Sequence, residues 1–158
     1  MDKIATCLWF DGNAEEAVQF YTGIFKNSSI GDVTRYGDSV PSKAGEVLTI
    51  TFHLEDREFV ALNGGPQYTF SPAISMFVKC ETQEEVDTLW DKLLEGGGSP
   101  VQCGWLTDRY GMSWQIVPTV MMKFLTGKDP AKTKRAMDAM MQMVKLDIAK
   151  LEAAYNQE

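Results

Sequence analysis

Asn13-Ala14-Glu15-Glu16-Ala17-Val18-Gln19-Phe20-Tyr21-Thr22-Gly23-Ile24-Phe25, set against Thr82-Gln83-Glu84-Glu85-Val86-Asp87-Thr88-Leu89-Trp90-Asp91-Lys92-Leu93-Leu94, decides the fold. The stretches superpose at an offset of 69: Glu15-Glu16 falls on Glu84-Glu85, Ala17 on Val86, Phe20-Tyr21 on Leu89-Trp90 and Ile24-Phe25 on Leu93-Leu94. In both, apolar residues recur every three or four positions, the spacing of a helix with one buried face. Asn13 is the expected N-cap of the first. Thr82, with Glu85 three residues later, has the capping-box arrangement. Carboxylates in each first turn suit the positive end of the helix dipole.

The same offset sets the apolar run Ile4–Phe10 on Ala73–Lys79, so each helix is preceded by a predicted strand. After the first helix, Ser28–Tyr36 reads as a strand and 37–45 as a polar loop. Glu46–Glu55 and Glu58–Asn63 then form a predicted hairpin about Asp56-Arg57, closed by Gly64-Gly65-Pro66. After the second, Gly96-Gly97-Gly98 is a stop, and Pro100–Asp108 and Met112–Val117 read as strands joined by Arg109-Tyr110-Gly111. Strands that succeed one another without helices pair antiparallel, and a helix covers one face of each sheet. The expected fold is α+β: two tandem βαβββ-type modules, about 3–66 and 72–118, with curved mixed or antiparallel sheets in a single domain spanning 1–158. A helical extension over about 119–156 follows. There Pro130 suits a first helical position, and Met137, Met140, Met141, Val144, Ile148 and Leu151 fall on one face of a predicted helix. Such a stripe is core or subunit interface, packed on its own sheets or across a dimer.

Composition narrows the partners. Of 158 residues, 44% are hydrophobic, enough for a packed core, and the net charge of −7 opposes a nucleic-acid surface. The charge is uneven: residues 1–118 carry 8 Lys/Arg against 17 Asp/Glu, and residues 119–158 carry 7 against 5. No run approaches the ~20 apolar residues that span a bilayer, and no signal-peptide pattern opens the sequence. Cys7, Cys80 and Cys103 show no CxxC spacing and fit reduced thiols, so a cytoplasmic location is expected.

The tandem modules, Leu8-Trp9-Phe10-Asp11, Ala73-Ile74-Ser75 and above all the run Trp105-Leu106-Thr107-Asp108-Arg109-Tyr110-Gly111-Met112-Ser113-Trp114-Gln115-Ile116-Val117-Pro118 resemble the PhnB-like branch of the glyoxalase/bleomycin-resistance, or vicinal oxygen chelate, superfamily. This branch often bears the label 3-demethylubiquinone-9 3-methyltransferase. The resemblance implies sheets that each half-enclose a cavity, and dimers. In metal-dependent members, two His and two Glu from the first and last strands of each module hold a divalent cation. On this chain those positions fall on Thr6, near Asn63, on Ala73 or Ser75, and on Gln115. None is an imidazole or a carboxylate, so no metal and no cofactor is expected. His53, the single histidine, is expected to be a strand residue, and Asp108 to start the turn before Gly111.

These residues point to a pocket of neutral hydrogen-bonding groups, Thr6, Asn63, Ser75 and Gln115, beside Trp105, binding an unidentified small molecule in a homodimer. Each could equally serve a strand or turn. A metal-dependent isomerase, lyase or dioxygenase is the alternative and would need unconventional ligands. A methyltransferase ranks lower: a typical one uses a doubly wound parallel sheet with a glycine-rich loop after its first strand, whereas Gly64-Gly65 and Gly96–Gly98 end their units. A fourth reading makes the Met-rich helix a partner-binding module.

Overall fold

The computed structural model describes residues 2–157, and the chain divides into two compact units, one ending at Thr69 and the other beginning at Phe70. The first holds β1 (Thr6–Phe10), α1 (Ala14–Ile24), β2 (Ser29–Arg35), a 3-10 turn (Pro41–Lys43), β3 (Val47–Leu54) and β4 (Arg57–Asn63). Its sheet runs β1-β4-β3-β2, with β1 parallel to β4 and the other pairs antiparallel. Alternation sends Leu8, Phe10, Ile50, Phe52, Phe59 and Ala61 to one face. There they are buried against α1, which contributes Ala14, Ala17, Val18 and Tyr21. Each Val, Leu, Ile or Phe side chain among them, fully buried, contributes about 1.5–3 kcal/mol.

The second unit repeats the plan with β5 (Ser75–Cys80), α2 (Gln83–Leu94), β6 (Ser99–Pro100), β7 (Trp105–Thr107) and β8 (Ser113–Pro118), in the order β5-β8-β7-β6. Helix α2 buries Val86, Leu89, Trp90 and Leu93, and the sheet face beneath it carries Cys80, Leu106, Trp114 and Ile116. Thr82 Oγ1 accepts from Glu85 N at 3.1 Å, as the capping box requires. The return bond lands one residue early: Glu85 Oε2 accepts from Glu81 N at 2.9 Å.

The expected strand Pro100–Asp108 is two strands. Between β6 and β7 the chain turns through Cys103 (φ 59) and Gly104 (φ 84), so Val101 N donates to Trp105 O at 2.8 Å. The offset of 69 also holds for the helices but not for the strands. α1 and α2 start at 14 and 83, whereas the last helix-facing residues of β1 and β5 are Phe10 and Cys80, 70 apart. The linker Asp11-Gly12-Asn13 is one residue longer than Glu81-Thr82, with Gly12 at φ 83 turning the extra residue.

Beyond β8 the chain forms α3 (Thr119–Leu125), α4 (Pro130–Met141) and α5 (Ile148–Asn156), so the one helix expected from Pro130 onward is two. Asp129 caps α4 and Asp147 caps α5, and the chain between them is extended enough to break the stripe. Met141 and Val144 are exposed, and the buried set is Val117, Met121, Phe124, Ala136, Leu146 and Leu151. The extension therefore packs within its own unit. Stacking of Phe124 on Tyr155, with centroids 4.4 Å apart, ties α3 to α5, and bonds from Arg135 to Ala154 O and Tyr155 O tie α4 to α5.

Candidate functional site

In each unit one sheet face lies under its helix and the other is left uncovered by that helix, although in the second unit Val117, at the end of this other face on β8, is buried by the C-terminal helices. On the uncovered face of the second sheet the strand register makes two rows. Phe77 on β5, Gln115 on β8 and Trp105 on β7 are lateral neighbours in one, and Ser75, Ser113 and Thr107 in the next. Strands lie about 4.8 Å apart, so the two aromatic residues stand about 10 Å apart with an amide between them. Gln115 Nε2 donates to Ser75 Oγ at 3.0 Å, orienting both groups. Ser75, Trp105 and Gln115 are half-buried, Ser113 is buried and Phe77 is 45% exposed. Beyond that bond the Ser75 hydroxyl hydrogen, the second Gln115 Nε2 hydrogen and the Trp105 indole N–H are further donors, the Gln115 carbonyl is an acceptor, and the two rings add aromatic surface.

Three of the five sequence-expected pocket residues, Ser75, Trp105 and Gln115, thus share one face. The other two belong to the first unit and lie on its helix-covered face. Thr6 shares the parity of Leu8 and Phe10, and its side is that of α1, although at the strand start it is exposed. Asn63 is buried, and both ends of its amide are used: Oδ1 accepts from Ala14 N at 2.9 Å and Nδ2 donates to Val47 O at 3.1 Å. It does the capping expected of Asn13, whose side chain makes no cap bond. Against the second unit, the extra linker residue shifts β1 by one position relative to its helix, and a one-residue shift exchanges a strand's faces. The uncovered face of the first sheet instead presents Cys7 and Trp9 on β1, Val60 and Leu62 on β4, and Thr49 and Thr51 on β3. Trp9 donates Nε1 to Gly65 O at 2.9 Å and meets Tyr68 edge-on at 4.9 Å.

Phe77 was not a sequence candidate. Ala73–Cys80 shows no clean alternation, and only the pairing of β5 with β8 places Phe77 beside Gln115. Asp108 has a structural task as the turn-former it was expected to be. Its carboxylate accepts from Tyr110 N at 2.8 Å, Met112 N at 3.0 Å and Trp114 Nε1 at 2.9 Å. The most distinctive run of the chain is therefore a folded turn leading into the strand that carries Gln115.

The uncovered faces do not supply a two-His, two-Glu donor set: their first and last strands offer Cys7, Trp9, Glu58, Val60, Leu62, Ser75, Phe77, Lys79, Ser113, Gln115 and Val117, with Glu58 the single carboxylate among them. His53 pairs across the strands with Glu58, but among the described residues no three His, Cys, Asp or Glu side chains are grouped to hold a metal ion. Cys80 lies against α2, and burial, then the nearby charges of Glu85 and Glu81, push its thiol up to about 12. Among the described residues no helix is long and apolar enough to cross a membrane.

The family model described as 3-demethylubiquinone-9 3-methyltransferase matches residues 2–117. A PhnB protein from Bacillus cereus, described as a putative 3-demethylubiquinone-9 3-methyltransferase, is 40% identical with a TM-score of 0.67, over 74% of this chain and 99% of its own. A protein from Pseudomonas aeruginosa is 20% identical with a TM-score of 0.61, over 75% and 98% of the two chains. The fosfomycin resistance protein FosX from Listeria monocytogenes, whose structure contains Mn(II) and sulfate, is 14% identical with a TM-score of 0.51, over 75% and 91%, a likeness of fold. No curated protein matches the chain. With most of its length in that family model and a relative this similar, the chain belongs to the PhnB-like family described as 3-demethylubiquinone-9 3-methyltransferase.

Proposed function

We propose that this protein binds a small organic molecule on the uncovered face of its second sheet, without a metal, and works as a homodimer. The observation that carries the reading is the row Phe77–Gln115–Trp105, an amide flanked by two aromatic residues and tied to the Ser75 hydroxyl. A few fixed polar groups on an aromatic background is the usual composition of a small-molecule site. The chemistry favours a flat ligand carrying a carbonyl or amide, which can pair with Gln115 and lie against the rings. The neutral donor set at the strand positions supports a site that works without a cation.

The test is a native mass spectrum of untagged protein purified without chelator, followed by titration of any organic adduct into Trp105→Ala and Gln115→Ala. The expected result is a dimer with an organic adduct and no metal. Affinity then falls about tenfold or more in each variant, the weight of one good contact at a desolvated site. A stoichiometric metal, or an adduct whose affinity ignores both substitutions, overturns the reading. The family label makes S-adenosylmethionine the first compound to titrate. Its binding, abolished by neither substitution, would bring the methyltransferase reading forward.

A further inference from the structure

The family match stops at residue 117, so α3, α4 and α5 are an addition to the shared fold. What they touch is specific. Between α4 and α5 the chain runs past the turn that leads into β7 and accepts two of its backbone hydrogen bonds: Cys103 N donates to Met143 O and Gly104 N to Val144 O, each at 2.8 Å. The Leu146 side chain, 1% exposed, lies against Gly104 so closely that a Cβ there would come within 3.0 Å of its Cδ1. Gln83, the first residue of α2, grips the same segment with both ends of its amide. Its Nε2 donates to Leu146 O at 3.0 Å and its Oε1 accepts from Ile148 N at 2.8 Å, as a neighbouring strand's backbone would. Lys145 completes the hold on Asp87 Oδ1 at 2.9 Å.

The gripped turn leads straight into the candidate site. Gly104 O accepts from Ile116 N at 2.8 Å, Trp105 is the next residue, and Trp105 is the cross-strand partner of Gln115. Val117, on the same side of β8 as Gln115, is buried in the core of the extension. We propose that the C-terminal extension is a clamp: by holding Cys103 and Gly104 through residues 143–146 and Gln83, it sets the position of Trp105 on the uncovered face. Gln83 and Leu146 are both positioning residues: Leu146 lies against the turn, and Gln83 holds the segment that carries Leu146. That the face binds a ligand rests on the reading above, whereas the clamp does not need it.

The test uses the full-length chain, with Gln83→Ala as the main variant, Leu146→Ala as the stronger one and Lys134→Ala, a surface change on α4 away from the turn, as control. Amide hydrogen exchange and the four indole N–H resonances are the readouts. Both test variants should quicken exchange at Cys103 and Gly104 on the order of tenfold, the weight of about one net hydrogen bond. They should also shift the Trp105 indole while leaving those of Trp90 and Trp114, on the helix-covered side, in place. General loosening would move the three together. Faster exchange at Cys103 and Gly104 with an unmoved Trp105 overturns the clamp, as does unchanged exchange in both variants. Neither readout requires a ligand, so an empty native mass spectrum would count against the binding reading and leave this result standing.

Discussion

Asn63 Oδ1, at the end of β4, accepts the hydrogen bond of Ala14 N at 2.9 Å, so a strand residue 49 positions away caps the first helix. With Nδ2 on Val47 O, it joins α1, β3 and β4 at one buried point. Replacing Asn63 by Ala leaves a buried donor and a buried acceptor without partners. It should lower unfolding free energy by about 2–4 kcal/mol, more than loss of an exposed cap. Asn63→Asp keeps the cap but turns a carboxylate on the Val47 carbonyl, and should be nearly as damaging. Urea unfolding measures both, and equal stability of wild type and Asn63→Ala would refute the account.

Asp108 is the corresponding anchor in the second unit. Three donors converge on one 3%-exposed carboxylate. Asp108→Ala should cost about 3 kcal/mol or more, because two backbone N–H groups and an indole lose a charged acceptor. Asp108→Asn should fall between, keeping one carbonyl acceptor. The Trp114 indole N–H resonance should move in both variants.

The Cys80 thiol gives a pH signature. Its folded value of about 12 stands above the ordinary 9.0, so the folded state holds the proton over a range in which the unfolded chain releases it. Its stabilising contribution is complete below pH 9.0 and is lost progressively as pH rises towards 12. Cys80→Ala should flatten the decline of stability across that window by an amount on the order of a few kcal/mol. At neutral pH, iodoacetamide should leave Cys80 unlabelled until the protein unfolds. Rapid labelling of the folded chain at that residue would contradict the burial.

Gly64 lies under the Trp9 ring, where a Cβ would come within 2.4 Å of the indole. Gly64→Ala should displace Trp9, break its bond to Gly65 O and open its edge contact with Tyr68. The expected cost is about 1–3 kcal/mol, the range for overpacking, with a shift in the Trp9 indole resonance. Gly37, with open space about its Cα, should accept Ala with little change by comparison.

The repeated helices, the hairpins and the capping box at Thr82 were legible in the residues, because helical periodicity and cap chemistry are local. What escaped was set by single positions. The superposition at 69 is fixed by the amphipathic helices and carries no information about the strands beyond the linker. Thr6 and Asn63 were placed in a pocket by the resemblance; in the fold Thr6 lies on the α1 side of β1 and Asn63 spends its amide on Ala14 and Val47. The Met stripe of the extension looked continuous since 3.6-residue spacing runs on across 142–147. Asp147, capping a new helix, was the local signal that it breaks. Phe77 was invisible because its importance lies in a partner on another strand.

The unequal linkers also bear on building a symmetric protein from this chain. A designer who repeats either half must cross the joint between first strand and helix with three residues or with two. Moving a helix by one residue turns its buried stripe by about 100°, and moving a strand by one exchanges its two sides. Splicing β5 to α1 through Asp11-Gly12-Asn13, or β1 to α2 through Glu81-Thr82, keeps strand and helix in phase only if linker and helix travel together. A cut placed inside either linker produces a hybrid whose apolar side faces water.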